Sequence, residues 1–387
     1  MVHRDFSFWT YLTSMNYDAI IVGGGLAGLT ASVCLSKAGL SVLVLEKSEY
    51  PHHKVCGEYV SNEVRSFLEY LGIDLEHLGA VPIRNFSISN EKGRKLSTQL
   101  PLGGFGISRY ALDNALYELA LKQGVELKFQ TVYATKFLED SFLVSTKDME
   151  FKSRFVIGAH GKRSLMDKSM NRKFIKEKSP WLGVKCHYEY KGFPEDEVAL
   201  HCFPGGYGGL SMTESGHINF CYLAHHQNFK HYKNVDAFGE NVLSKNPFLQ
   251  KFLGAATPVF KSSLSIGQIS FAKKSPVEDH VLMCGDSAGL IHPLCGNGMA
   301  MAIHAAKIAS DIVTKAFKQK EYPRTRIEKE YIMQWETNFR SRLYYGRKIQ
   351  SWITNPIAVN GLFSIIPNSE KILTAIIKRT HGKPILV

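Results

Sequence analysis

Residues 17–28 read YDAIIVGGGLAG, and the run LTASVCL follows at residues 29–35. An apolar, β-branched run that breaks at glycines and then resumes predicts a strand, a tight turn and a helix. This order is typical of a dinucleotide site. Gly23 permits the turn, Gly25 lets the backbone approach a pyrophosphate, and Gly28 lets the helix pack closely on the strand.

A second apolar strand supports the same interpretation. Residues 41–45 read SVLVL and are followed by Glu46, whose carboxylate is placed to accept hydrogen bonds from a ribose. Lys47 comes next, and we count it with the nucleotide-binding residues. Strand, turn, helix, second strand and acidic residue together predict a nucleotide site. Which dinucleotide it holds stays open at this point.

The composition is that of a folded enzyme. The chain has 387 residues, enough for two domains, and 44% of them are hydrophobic and 21% charged. Those values exclude a disordered chain. Seven cysteines are scattered without a CxxC pair. We therefore expect no disulfide framework and no metal site, and we expect a reducing, cytoplasmic location.

Positive charge is concentrated towards the C-terminal end. Residues 315–387 contain 14 Lys and Arg, 5 Glu and no Asp, a net charge of +9 in a chain whose net charge is +12. The interleaved apolar residues favour peripheral contact with an anionic membrane, and we do not expect nucleic acid as a partner. A solvated helical face is the alternative interpretation.

No stretch predicts a transmembrane helix. The most apolar one, residues 356–367, is short and contains Asn360-Gly361. Residues 1–14 lack the long apolar region of a secretory signal, and we interpret them as an upstream start or a loose extension.

The pattern of segments divides the chain into two interleaved domains and a tail. The expected fold is α/β: a Rossmann-like nucleotide-binding domain, an inserted antiparallel β-sheet domain for the substrate, and a basic helical C-terminal tail. The nucleotide-binding domain comprises residues 15–74, 107–175 and 274–320. The substrate domain comprises residues 75–106 and 176–273, with a covering helix near 235–253, and the tail comprises residues 321–387.

Two further stretches carry candidate chemistry. The polar loop after Glu46 contains Lys54 and Cys56, and loops beside a sheet often carry functional groups. A buried strand at residues 281–284 leads into Gly285-Asp286 and then into PLCGNG at residues 293–298, which opens a long helix. The free N–H groups at such a helix start stabilise anionic character on a nearby ring.

These motifs, in this order, resemble the FAD-dependent oxidoreductases of the p-hydroxybenzoate hydroxylase fold. That family includes aromatic-ring hydroxylases and geranylgeranyl reductases, and the resemblance covers residues 17–316. It implies FAD as the cofactor. Gly23, Gly25, Gly28 and Glu46 look like its ADP-binding fingerprint, and Arg109 matches an arginine that contacts the cofactor.

The second half of the resemblance concerns the flavin end. Gly285-Asp286 is similar to the stretch whose aspartate binds the ribityl chain. Pro293, Gly296 and Gly298 match the helix start that faces the isoalloxazine.

The motifs do not decide the branch of the family. Ser287-Ala288-Gly289 is similar to the reductase and halogenase branches, and Lys54-x-Cys56-Gly57 resembles the reductases, in which the cysteine lies beside the flavin. His160 stands where the family usually has Asp. The aromatic substrate motif of the reductases is half present, because Phe203-Pro204 match but Ala199 and His201 stand where Tyr and Trp are expected.

We expect an NAD(P)H-dependent monooxygenase that hydroxylates a lipophilic or aromatic small molecule. The alternatives are an ene-reductase that saturates C=C bonds of a lipid, and a flavin-binding protein that docks on a membrane or partner without turnover. No second glycine cradle follows the first, so we expect NAD(P)H to bind transiently. Cys56, flanked by Lys54, is either a proton donor beside the flavin or a small packing residue.

Overall fold

The computed structural model describes residues 16–232, 234–319, 321–365 and 370–386. The interpretation of residues 1–14 lies outside these residues. The strands are β1 (Asn16–Val22), β2 (Val42–Glu46), β3 (Tyr59–Ser61), β4 (Val81–Ser89), β5 (Lys95–Gly106), β6 (Glu126–Phe129), β7 (Val132–Leu138), β8 (Ser141–Thr146), β9 (Glu150–Gly158), β10 (Trp181–Glu189), β11 (Glu197–Phe203), β12 (Gly206–Met212), β13 (Ile218–His225), β14 (Thr257–Pro258), β15 (Leu264–Ile266), β16 (Val277–Glu278) and β17 (Val281–Met283). The helices are α1 (Leu26–Lys37), α2 (Arg65–Leu71), α3 (Arg109–Lys122), α4 (Leu165–Ser169), α5 (His226–Lys230), α6 (Val235–Asn241), α7 (Pro247–Leu253), α8 (Gly298–Lys318), α9 (Arg324–Ile353), α10 (Pro356–Ile365) and α11 (Glu370–Thr380).

The first sheet has the predicted Rossmann-like arrangement. Strand β1 lies between β2 and β9 and is parallel to both, and β6 and β17 extend this parallel core on either side. Residues 19–22 and 42–46 are buried, as expected for parallel strands covered by helices on both faces. Helix α1 packs against α8 and α3. The carboxyl ends of β1, β2 and β17 therefore meet at one edge of the sheet.

The second sheet runs in the order β14-β10-β13-β12-β11-β4-β5-β3, with β15 also paired to β10. It is antiparallel as predicted, except that β11 is parallel to β4. The exception arises because these two strands come from the two separate visits of the chain to this sheet. Strand β3 also belongs here, paired with β5, although it lies within the range 15–74. The division into domains stays a prediction.

The covering helix expected near 235–253 is two short helices, α6 and α7, and the expectation of one helix is wrong. Pro247 is the first residue of α7, and its missing N–H favours a helix start over a helix interior. The side chain of Asn246 accepts a hydrogen bond from the Phe248 N–H at 3.0 Å and donates to Ser89 and Cys202. This buried cap anchors the break.

The basic C-terminal segment is helical, as predicted, but it is packed into the body of the protein. Helix α9 buries a stripe of large side chains, including Ile327, Tyr331, Trp335 and Phe339, beside α8. Helix α11 packs against β5 and α9. Among the described residues, no helix combines the length and apolarity needed to cross a membrane.

Candidate functional site

One large cavity, of about 1180 Å³, is lined by both sheets and by α9, α10 and α11. All but one of the residues predicted for the site line it. They are Gly23, Gly25, Glu46, Lys47, Lys54, Cys56, Arg109, Gly285, Asp286, Pro293, Gly296 and Gly298. The exception is Gly28, which lies under the turn between β1 and α1.

The three glycines of the first motif have different surroundings, so each position favours glycine for a different physical reason. Gly23 has φ +100°, and a Cβ there would lie 2.5 Å from the Ala159 carbonyl oxygen. A Cβ on Gly28 would lie 1.9 Å from the Gly23 carbonyl oxygen. Gly25 is not constrained by the protein, since its nearest neighbour would be Arg109 Nη2 at 3.5 Å. The space beside Gly25 therefore belongs to the cavity, in front of the free N–H groups of α1.

Glu46 closes this end of the cavity. Its Oε2 accepts a hydrogen bond from the Gly24 N–H at 2.6 Å, and its Oε1 accepts from the N–H groups of Lys47 and Ser48 at 3.0 and 3.1 Å. Each carboxylate oxygen has two lone pairs, so Oε2 keeps one for a further donor such as a ribose hydroxyl. The hydroxyl of Tyr50 donates to the Gly24 carbonyl oxygen and fixes the loop over the turn.

A buried ion cluster lies next to Gly25. The Asp113 carboxylate accepts from Arg109 Nε and Nη2 at 2.6 and 2.7 Å and from Lys54 Nζ at 2.9 Å. Burial by itself raises the pKa of Asp113, but Arg109 and Lys54 hold that pKa below its ordinary value. The cluster fixes the Arg109 guanidinium at the cavity wall and joins Lys54 to α3.

The second motif lies on the other side of the same edge. Gly285 and Gly296 have φ of +59° and +63°, and a Cβ on Gly296 would lie 2.9 Å from the Tyr59 ring. Helix α8 begins at Gly298, so its free N–H groups face this region. Lys274 Nζ donates to the Asp286 carbonyl oxygen at 2.7 Å, and burial lowers the pKa of Lys274 to about 8.

Glu58 is a buried residue that the sequence analysis missed. It is 0% exposed, has φ +55°, and accepts hydrogen bonds from the Arg109 N–H at 2.7 Å, from His187 Nε2 at 2.7 Å and from Lys185 Nζ. Lys185 and His187 alternate along β10 and so point to the same face of the sheet. Two polar residues two positions apart, after the apolar start of β10, were the available signal.

The backbone around Cys56 is held by the second sheet. Lys185 Nζ donates to the Lys54 carbonyl oxygen at 3.3 Å, and Asn219 Nδ2 donates to that of Cys56 at 3.2 Å. The hydroxyl of Ser211 donates to the Gly57 carbonyl oxygen at 3.1 Å. With Glu58 added, four of the five positions 54–58, all except Val55, are tied to β10, β12 and β13. These contacts position the Cys56 thiol at the cavity wall.

His53, Glu58 and His187 have donor atoms within 4.8 Å of one another. The Glu58 carboxylate already binds the Lys185 ammonium and His187, so this group is a buried charge cluster in which a cation is already present. His160 is likewise engaged in structure, since its Nε2 lies 3.1 Å from Asp167 Oδ1, which also accepts from Arg172. Burial raises the pKa of Asp167, but these two partners hold it down at about 2.

The remainder of the cavity is apolar and was not predicted from the sequence. Its lining comes from β4, β11, β13, α9, α10 and α11. It includes Phe86, Ile88, Leu200, Leu223, Ile349, Ile353, Phe363, Leu373 and Ile377. The hydroxyl of Tyr207 joins this part to the second motif, because it accepts from the Leu294 N–H at 3.3 Å and donates to Gln350 at 2.9 Å.

The first sheet thus carries a glycine turn at the carboxyl end of β1 and an aspartate motif after β17, two strands away, and the start of α8 lines the same cavity. The family model described as "FAD binding domain" matches residues 16–318. The chain belongs to this family. It is an FAD-dependent oxidoreductase.

The chain is also similar to individual relatives and, in its fold, to solved structures. Digeranylgeranylglycerophospholipid reductase 2 of Methanopyrus kandleri is 25% identical over 353 residues, with 86% of each chain covered. A geranylgeranyl bacteriochlorophyll reductase-like protein of Thermoplasma acidophilum has a TM-score of 0.75 and 17% identity, covering 95% of this chain and 96% of that chain. A flavin-dependent brominase has the same TM-score and 16% identity, covering 94% and 93%.

The residues present fit FAD. The space that a side chain at Gly25 would fill is left open beside the start of α1, which attracts anions, and Glu46 keeps a lone pair for a ribose hydroxyl. The cavity is continuous from this nucleotide end to Gly296, so an extended dinucleotide has room.

Proposed function

We propose that the protein is an ene-reductase that saturates carbon–carbon double bonds in the isoprenoid chains of a lipid. The observation that carries this proposal is the apolar part of the cavity, which begins at the second motif and extends to α9 and α11. A chamber lined by aliphatic and aromatic side chains fits a long hydrocarbon chain. The similarity to digeranylgeranylglycerophospholipid reductases supports the same class of substrate.

Four groups of residues would hold FAD. Gly23, Gly25 and the start of α1 would bind the pyrophosphate, and Glu46 the ribose. Arg109, fixed by Asp113, would contact the cofactor, and Asp286 the ribityl chain. When bound, FAD supplies the electron pair with which a double bond is reduced.

The chain's own contribution is to place the hydrocarbon, exclude water and hold a proton. Saturation adds two electrons and two protons to each double bond. The Cys56 thiol is the proton-carrying group that the second sheet fixes at the cavity wall. Cys221 also lines the cavity, but burial raises the pKa of its thiol to about 12, which suits a packing role.

NAD(P)H is the reductant we propose, bound transiently. Lys47, Lys162, Arg163 and Lys168 all line the cavity beside the nucleotide end. Their positive charge suits the phosphates of a second dinucleotide that approaches from solvent.

Hydroxylation of a lipophilic or aromatic compound, the activity expected from the sequence, is the second candidate. The incomplete aromatic motif favours it, because Ala199 lines the cavity where the reductases have an aromatic residue. His201 does not compensate, since it hydrogen-bonds to Ser89 at 2.7 Å and burial lowers its pKa to about 3.

Product analysis with and without oxygen separates these functions. The holoprotein is incubated with NADH or NADPH and a lipid that carries geranylgeranyl chains, under argon and under isotopically labelled oxygen. We expect a gain of two hydrogens per double bond under argon. Labelled oxygen in the product would establish the monooxygenase instead. Firmly bound FAD without any product would favour a flavin-binding protein that does not turn over.

A further inference from the structure

The cavity has an exposed rim at the C-terminal helices α9 and α11. Trp352 of α9 and Ile372 of α11 are 53% and 44% exposed, and both also line the cavity. A large apolar side chain that is exposed on one side and lines a chamber on the other marks the chamber's mouth. We define the rim as Trp352 and Ile372 with four exposed basic residues of the same two helices, Arg347, Lys348, Lys371 and Lys378.

The basic part of the rim is strongly one-sided in charge. Arg347 and Lys348 precede Trp352 by one turn of α9, and Lys371 and Lys378 lie on α11; all four are exposed. Residues 343–387 contain six Lys and Arg against one acidic residue, Glu370. Positive charge around exposed tryptophan and isoleucine is the composition of a surface that lies on an anionic bilayer.

We propose that this rim docks on an anionic lipid bilayer, so that the hydrocarbon substrate enters the cavity directly from the membrane. The inference rests on the proposed function for the identity of the substrate, whereas docking itself can be measured without turnover. An indole ring favours the headgroup region of a membrane, and Lys side chains reach from an apolar surface to the phosphates. Entry at the rim spares an isoprenoid chain any passage through water.

A nucleic acid is less well matched to the same surface. Phosphate binding uses the charges but leaves Ile372 and the apolar mouth exposed to water. Helices α9 and α11 bury Ile353 and Ile377 next to the rim residues Trp352 and Lys378. A basic surface that ends in an apolar chamber fits a lipid layer.

Co-sedimentation with vesicles tests the proposal on the full-length holoprotein. The vesicles contain phosphatidylcholine alone or with phosphatidylglycerol. The rim variant is R347Q/K348Q/K371Q, and its matched control is K230Q/K245Q/K251Q, three exposed lysines in and near α5 and α7. We expect the rim variant to bind anionic vesicles about a hundredfold more weakly, and the control to bind like the wild type.

Two further variants separate the apolar contribution from charge. Trp352→Ala should weaken vesicle binding, while Met333→Ala, which removes an apolar side chain of α9 that is 62% exposed and outside the cavity, should not. Unchanged melting temperatures show that each variant is folded. Equal binding of the rim variant and wild type would overturn the proposal, as would preferential binding of nucleic acid over anionic vesicles.

Activity measurements keep docking and function apart. With substrate embedded in anionic vesicles, the rim variant should lose activity in proportion to its lost binding. With the same substrate in neutral detergent micelles, it should match the wild type. If the protein binds vesicles but saturates no lipid, the proposed function is wrong and the docking surface stands. If the wild type and the rim variant saturate lipid in anionic vesicles equally well, the docking surface is wrong and the proposed function stands.

Discussion

The two ends of the cavity are built in different ways. At the nucleotide end, the contacting residues are close in sequence, since β1, α1 and β2 follow one another, and the backbone does the work through glycines and helix starts. At the apolar end, the lining side chains come from strands and helices spread along the whole chain. The first end is specified by local backbone geometry and the second by tertiary packing, so each responds to a different kind of substitution.

The largest effect is expected at the Glu58 cluster, which ties the loop at residues 54–58 to the second sheet. Glu58→Gln leaves Lys185, which is 0% exposed, without its carboxylate partner. Removing one member of a buried ion pair costs about 3–5 kcal/mol. Denaturant unfolding should show this loss, while Glu69→Gln, which removes a half-exposed partner of Arg65, should change stability by less than about 1 kcal/mol. Equal effects of the two substitutions would show that the Glu58 cluster does not stabilise the fold.

The same Glu58 cluster predicts that the stability of the protein depends on pH. Burial raises the pKa of Glu58, but the hydrogen bond from His187 and the charge of Lys185 hold it below its ordinary value. The stabilisation is therefore complete above the pKa of an unfolded Glu, about 4, and is lost as the pH falls through the lower folded value. Below about pH 4, the unfolding free energy of the wild type should fall more steeply than that of Glu58→Gln. Parallel curves would contradict this assignment.

At the nucleotide end, Gly28→Ala places a methyl group 1.9 Å from the Gly23 carbonyl oxygen. We expect a loss of about 3 kcal/mol in stability and a lower FAD content, because helix α1 must move away from β1. The matched control is Gly361→Ala in α10, where an added Cβ meets nothing within 4 Å. Thermal melting measures the stability of the two variants, and the flavin-to-protein absorbance ratio measures their FAD content. A fully yellow Gly28→Ala protein would show that the turn tolerates expansion.

This contrast also explains what the sequence could predict. Gly23, Gly25 and Glu46 were identifiable because their spacing follows from one strand–turn–helix unit. Asp286 lies far away in sequence; its strand and the helix start after it marked it as a candidate, but only the family resemblance implied its role at the cofactor. Glu58 was missed because its partners, Lys185 and His187, lie 127 and 129 residues away in sequence. The apolar chamber was missed because no local period records which distant side chains face one another. The prediction of one helix near 235–253 is wrong for a local reason, because Pro247 starts a second helix there.

Between the two ends, Cys56 tests whether the fixed loop carries a proton. We expect Cys56→Ser to lower kcat about a hundredfold with FAD retained, since a hydroxyl is a much weaker acid than a thiol. Cys221→Ser, in the same cavity, should leave kcat within a few-fold of wild type. Steady-state kinetics at saturating lipid gives the comparison. Similar rates for both variants would assign Cys56 a packing role.

At the apolar end, the smallest effect is expected from narrowing the chamber. Leu200 of β11 lines it, and Leu200→Trp adds volume without touching the nucleotide end. We expect KM for a geranylgeranyl lipid to rise about tenfold and FAD content to stay unchanged. Leu200→Ala should leave the FAD content unchanged and should change the activity on the geranylgeranyl lipid by much less than about tenfold. Loss of FAD in Leu200→Trp would mean that the two ends are not independent.

Anaerobic reoxidation of the reduced flavin by lipid tests the central claim most directly, because it requires both ends of one cavity to act together. The holoprotein is reduced chemically under argon and mixed with a geranylgeranyl lipid or with its fully saturated counterpart. The account predicts that flavin absorbance returns with the unsaturated lipid and not with the saturated one. Reoxidation by neither lipid, followed by rapid reoxidation in air that yields a hydroxylated product, would contradict it.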